Sequence, residues 1–198
     1  MKWIIVGLGN PGGEYAKTRH NAGRIVADSL RIARGFSEWE YKKTYDALIS
    51  KGVIAGKDVL LLLPETYMNA SGQSLARLVK NDAQAAQLIV IHDDADLPIG
   101  SWRLAYARGA GGQKGVASII AALKTRAFIR VRIGIAPELK EGKERAPAGS
   151  FVLGNFRANE LAMIEKKTDQ INAAIEQLLT EGLELSRSKW KKWGPDSE

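Results

Sequence analysis

Along the chain, short apolar runs alternate with segments whose apolar residues recur at helical spacing. This alternation predicts an α/β fold. Residues 2–6 are an apolar run with Lys2 at its rim, the pattern of a buried strand, and Asn10-Pro11-Gly12-Gly13 breaks it into a loop. Over residues 21–34, Ala22, Ile25, Val26 and Leu30 share one helical face. A strand pair is expected around 44–52 and 58–63. Its second member, Leu60-Leu61-Leu62-Leu63 ended by Pro64, suits a strand covered on both faces. Residues 71–80 read as a helix with Leu75 and Leu78 inward, and 88–91 as a buried strand delivering His92-Asp93-Asp94 at its carboxyl end. A strand of mixed polarity at 101–107, a glycine-rich loop at 109–115 and a short helix at 116–123 follow. Then come a strand alternating basic and apolar residues at 130–136, a charged Pro/Gly-rich loop at 137–150 and a long amphipathic helix at 159–181. Most polar clusters fall just after buried strands, where open α/β sheets form ligand crevices.

Composition narrows the chemistry. The length, 198 residues, suits one domain. There is no cysteine, which excludes disulfides, thiolate metal sites and cysteine catalysis and agrees with a reducing cytoplasm. The first apolar run is too short for a signal peptide, and no apolar stretch approaches the ~20 residues of a membrane span. A net charge of +7 and a pI near 9.6 favour polyanionic partners through counterion release, although a basic globule without such a partner has the same charge.

Six segments carry candidate chemistry. Gly7-Leu8-Gly9-Asn10-Pro11-Gly12 has the G-x-G-x-x-G spacing of a dinucleotide loop. Pro11 removes one N–H donor, however, and the helix begins near Asn21 rather than inside the motif. A tight turn that needs glycine, or a loop that projects Asn10 into a site, are the other readings. His20, one of two histidines, sits on a polar loop entering a helix. It is either structural or a neutral imidazole placed to take a proton from water. In the segment from Pro64 to Gly72, helix capping accounts for Asn69 or Ser71 but not for the neighbouring Tyr67-Met68 pair. Asp93, Asp94 and Asp96 at a strand end suit either Mg²⁺ or the orienting of a histidine. Because successive strand residues face opposite ways, Asp93 is favoured as the site residue and His92 as structural. The loop from Arg108 to Gly115 is not a P-loop, since no Ser/Thr follows Lys114; it is a phosphate-approaching loop or a connector. The basic aromatic tail at 186–198, with Lys189, Trp190 and Trp193, suits either RNA stacking or packing on the body.

In this order the segments resemble the bacterial-type peptidyl-tRNA hydrolases. The matching blocks are VGLGNPGGEYAKTRHNAG, PETYMNASG, HDDADLPIG, GAGGQKG and RVRIGI, continued by FVLGNF, and the resemblance runs to about residue 185. It implies an α/β sandwich of three layers around a mixed, mostly parallel twisted sheet, active as a monomer without metal or other cofactor. It further implies cleavage of the ester between a peptide and the 3′-terminal ribose of tRNA, with His20 as base toward water and Asp93 holding its imidazole. Asn10 and Asn69 would bind the peptide or the adjoining ribose, and Tyr67 and Met68 would line the crevice. Tyr15 and Asn21 of the first block join the substrate-binding set, Asn21 also as support for the His20 loop. Where the family commonly reads GGHNG, this chain has Gly111-Gly112-Gln113-Lys114-Gly115, so Lys114 replaces the usual asparagine and is a charged donor toward substrate. Arg103, Arg108, Arg130 and Arg132 are the cationic positions expected to hold tRNA, with Arg130 and Arg132 on one strand face. With no cysteine and no G-x-S-x-G serine, direct attack by water fits better than a covalent route. The alternative is an RNA-binding protein on the same scaffold with weak or no hydrolysis.

Overall fold

A computed structural model describes residues 2–137 and 147–190, with side chains in the last helix described up to Ser186. The apolar runs become strands of one seven-stranded sheet in the order β2-β3-β4-β1-β5-β7-β6. These are β1 (Trp3–Gly7), β2 (Glu40–Lys42), β3 (Ala47–Ile54), β4 (Lys57–Pro64), β5 (Leu88–Pro98), β6 (Trp102–Tyr106) and β7 (Ile129–Ala136). The four inner strands β4, β1, β5 and β7 run parallel, whereas β2, β3 and β6 add antiparallel at the two edges. The single-domain α/β fold around a mixed, mostly parallel sheet is therefore as expected.

Both faces of the inner strands are covered, which is why their sequences read as unbroken apolar runs. Ile5, Leu61, Leu63, Ile89, Ile91 and Val131 pack beneath α1 (Ala22–Ala33) and α5 (Ala158–Glu181). Their neighbours Val6, Leu60, Leu62 and Val90 pack with Leu75 of α2 (Gly72–Leu75), Ala85 of α3 (Asp82–Ala85) and Val116 and Ile119 of α4 (Lys114–Leu123). A fully buried aliphatic side chain contributes roughly 1.5–3 kcal/mol, so these two layers supply the main drive to fold. At Gly23 an added Cβ would lie 2.3 Å from the Ile91 carbonyl oxygen and 2.6 Å from that of Leu8. Only glycine lets α1 sit this close to the ends of β1 and β5, and that seat places the residues just before α1 at the sheet's carboxyl edge.

The structure departs from the pattern in four places. The helix expected at 71–80 ends after Leu75 and continues as hydrogen-bonded turns to Val79, and the extended Asn81 then caps the separate helix α3 by accepting from Gln84 N–H. Strand β5 continues well past residue 91, with a register shift between Asp94 and Pro98 against β7. The three-residue edge strand β2 and the last helix, α6 (Leu183–Trp190), have too little periodicity to be read. The loop expected at 137–150 lies mostly outside the described residues, as does the tail beyond residue 190. Among the described residues, no helix is long and apolar enough to cross a membrane.

Candidate active site

The loop after β1 presents Asn10 rather than a nucleotide cradle, since α1 starts only at Ala22. The Asn21 side chain clamps the Asn10 backbone at both ends, accepting from its N–H at 2.8 Å and donating to its carbonyl at 2.9 Å. Asn10 Oδ1 accepts from Met68 N–H at 2.9 Å. That bond decides which way the amide faces and leaves its NH₂ as the arm toward the crevice.

His20 lies in a single 3₁₀ turn (Arg19–Asn21) that leads into α1. The turn is tied to residues 152–155: His20 N–H donates to Val152 at 2.8 Å and Arg19 N–H to Gly154 at 3.0 Å. The Arg19 guanidinium reaches the Asn155 carbonyl and Glu160 Oε2, each at 2.6 Å, and lies over the Phe156 ring. The backbone of His20 is thus held from both sides. Its Nδ1 is 2.8 Å from Asp93 Oδ2. An ionised carboxylate only accepts, so Nδ1 is the donor, and in the neutral tautomer of the ring Nε2 keeps its lone pair.

Asp93 is 2% exposed, and its second oxygen is also used: Gln113 Nε2 donates to Oδ1 at 2.8 Å. Together these groups line a crevice of about 370 Å³ at the carboxyl ends of the strands. Met68 is buried at its floor, Tyr67 and Asn69 are exposed at its rim, and Val152 and Leu153 form the opposite wall. Ser71 stands at the N-cap of α2 but makes no side-chain cap bond, its Oγ instead fastening the turn by donating to the Met68 carbonyl at 2.8 Å, and Asn69 lies inside that turn.

A family profile described as Peptidyl-tRNA hydrolase matches residues 4–196. This chain belongs to the peptidyl-tRNA hydrolase family. It is 43% identical to a peptidyl-tRNA hydrolase of Koribacter versatilis over 182 residues, covering 90% of this chain and 87% of that one. It is 41% identical to one from Mycobacterium tuberculosis over 191 residues, covering 96% and 97%. The crystal structure of peptidyl-tRNA hydrolase from Acinetobacter baumannii superposes with a TM-score of 0.84 at 32% identity, covering 98% of this chain and 96% of that one.

Within this peptidyl-tRNA hydrolase fold the expected site residues separate into those the crevice gathers and those it does not. Asn10, His20, Tyr67, Met68, Asn69, Asp93 and Lys114 all line it, Lys114 as an exposed cation at the start of α4. Tyr15 is not among the described residues that do so; its carbonyl accepts from both the N–H and the hydroxyl of Thr18, a local turn contact. Asn21 bonds Asn10 through both its side-chain oxygen and its nitrogen, is 2% exposed and is not among the crevice-lining residues, so here it positions Asn10. Sequence reasoning missed Gln113 as a partner of Asp93. The signal that could have found it was its place, an amide directly ahead of a helix in a loop at the strand ends.

Arg132 pairs with Asp94 at 2.6 Å, and Asp94 lines the crevice, so the cationic face begins at the crevice wall. Arg103 lies opposite Arg132 in the β6–β7 register, and Arg108 is exposed just beyond β6. Arg130 differs from the expectation: it is only 4% exposed, and burial and the nearby Arg132 charge lower its pKa. It adds positive potential to this face rather than an open phosphate contact. Among the described residues no group of three His, Asp or Glu side chains could hold a metal ion, since Asp93 and Asp94 are turned to different partners.

Strand alternation holds at the decisive pair. His92 faces away from Asp93's side chain, buried at 1% exposure, with Nδ1 against the Asp93 carbonyl at 2.8 Å. Burial pushes its pKa down to about 4. The unfolded chain protonates near ~6.5, so the unfolded state binds the extra proton first as pH falls. Stability is expected to be complete above about pH 6.5 and to drop by roughly 3 kcal/mol as pH falls to about 4. Urea midpoints measured between these limits should show that slope, and His92→Gln should flatten it.

Proposed function

We propose that this peptidyl-tRNA hydrolase cleaves its ester by direct attack of water, with His20 as general base. The observation that carries the reading is the 2.8 Å contact from His20 Nδ1 to Asp93 Oδ2 at the crevice. It leaves Nε2 to take a proton from water while the water oxygen bonds to the acyl carbon. A positioned base of this kind is typically worth about 10²–10⁴-fold. Asp93 stabilises the imidazolium as it forms. The amide of Asn10, with that of Asn69 at the rim, is placed to donate to the carbonyl oxygen as it gains charge; losing one such donor typically costs about 2.7–4 kcal/mol. The tetrahedral intermediate then expels the ribose oxygen, which recovers the proton from His20. The products are a peptide acid, which loses its remaining proton to solvent as a carboxylate, and a tRNA with a free terminal hydroxyl.

The tRNA is held, in this reading, along Arg103, Arg108 and Arg132, with Lys114 near the terminal phosphate. The net charge of +7 and the continuity of Arg132 with the crevice through Asp94 support it. A monomer acting in the cytoplasm without a metal completes the proposal: one chain supplies the whole crevice, and the chain has no cysteine.

His20→Ala is expected to lower turnover of a peptide-labelled tRNA by on the order of 10²–10⁴-fold. Melting temperature and tRNA affinity should be little changed, and wild-type turnover should survive excess chelator. Near wild-type turnover in the variant would remove His20 from the mechanism.

A further inference from the structure

We infer that Gln113 is a positioning residue for the hydrolysis, locking the Asp93 carboxylate in the rotation that serves His20. The inference rests on the roles given above to His20 and Asp93.

The buried Asp93 carboxylate meets two donors, His20 Nδ1 on Oδ2 and Gln113 Nε2 on Oδ1, each at 2.8 Å. Rotation about the bond to an aspartate carboxylate is soft and roughly twofold. With one oxygen unheld, the group would turn Oδ2 away from the imidazole, and a buried acceptor would lack a partner. Gln113 removes both problems because its own amide cannot flip. Its Oε1 accepts from Val116 N–H at 2.8 Å, where it caps the first turn of α4. Its Nε2 has Met68 Sδ as a second neighbour at 3.2 Å. Gln113 is itself 7% exposed.

The position therefore asks for one side chain that accepts from a helix N–H and donates to a carboxylate. An ionised glutamate provides only the acceptor, a lysine only the donor, and methionine neither. The amide does both without titrating in the working range of the enzyme. Rigidity passes from α4 through Gln113 and Asp93 to the base.

Gln113→Glu separates this role from capping, since a carboxylate still accepts from Val116 N–H. Against wild type on peptidyl-tRNA, kcat is expected to fall about tenfold or more with KM within about twofold. The acid limb of the pH–rate profile should move to higher pH, because a second carboxylate beside Asp93 favours the protonated imidazole. A protonated glutamate can still donate to Asp93, so the profile is carried to alkaline pH, where that proton is lost; a wild-type kcat and pH profile throughout would show that Gln113 is only a helix cap and overturn the inference. If the variant does not fold, the wild type decides. In ¹⁵N-labelled protein the Gln113 side-chain amide resonance should shift with the same midpoint as the His20 ring, and an invariant resonance overturns the inference. The His20→Ala result stays separate: turnover retained there defeats the general-base reading, whereas turnover lost there with a silent Gln113 defeats only this one.

Discussion

Asp93→Asn is expected to lower kcat by on the order of 10²–10⁴-fold, the range expected for losing the base itself, while the protein stays folded. The replacement is nearly isosteric, so packing around the 2%-exposed side chain is preserved. What changes is the tautomer. The Gln113 amide is fixed by Val116, so its Nε2 still needs an acceptor, and the one oxygen left on the substituted side chain must turn toward it. The new NH₂ then faces His20 Nδ1, where a carboxylate oxygen stood at 2.8 Å. A donor at that point makes Nδ1 the acceptor and moves the ring proton to Nε2, the nitrogen that has to take a proton from water. The imidazolium also loses its counter-charge. Single-turnover kinetics under saturating substrate, with circular dichroism as the fold control, test this. A loss of less than tenfold would mean that Asp93 does not set the tautomer.

Arg19→Met should be the most destabilising substitution near the site, by about 3–5 kcal/mol. Arg19 and Glu160 form a 2.6 Å ion pair whose side chains are 9% and 10% exposed. Removing the cation strands a carboxylate that keeps only its bond to Arg157 N–H. Two further anchors go with it, the guanidinium bond to the Asn155 carbonyl and the stacking on Phe156. For a chain of this length the loss corresponds to a fall in melting temperature on the order of 10 °C. Urea unfolding measures it directly. The double variant Arg19→Met with Glu160→Leu should recover much of the stability, because no buried charge is then left alone. Activity should fall as well, since the same segment holds the His20 backbone through Val152.

Some of the site was legible because it depends on local order. The choice of Asp93 over His92 needed only the two-residue period of a strand, and β5 stays regular through both residues. Placing His20 just ahead of a helix needed only the spacing of Ala22, Val26 and Leu30. Other features were not legible. Arg130 and Arg132 share a strand face and look alike in sequence, yet one is nearly covered and the other is paired with Asp94. Asn21 and Asn10 are both asparagines in one block, yet one is spent on backbone and the other faces the crevice. Residue type does not distinguish such pairs; neighbours from distant elements do.

Periodicity along the chain determined the alternating elements, the doubly covered inner strands and the loops that gather at their carboxyl ends, since each rests on burial repeating every two or every 3.6 residues. Only the tertiary structure decided which oxygen of Asp93 meets His20, 73 positions away, and which meets Gln113, 20 positions away. A hydrogen bond requires placement within a few tenths of an ångström. Here that placement is the joint product of β5, the seat of α1 on Gly23 and the cap of α4, and no local pattern contains it.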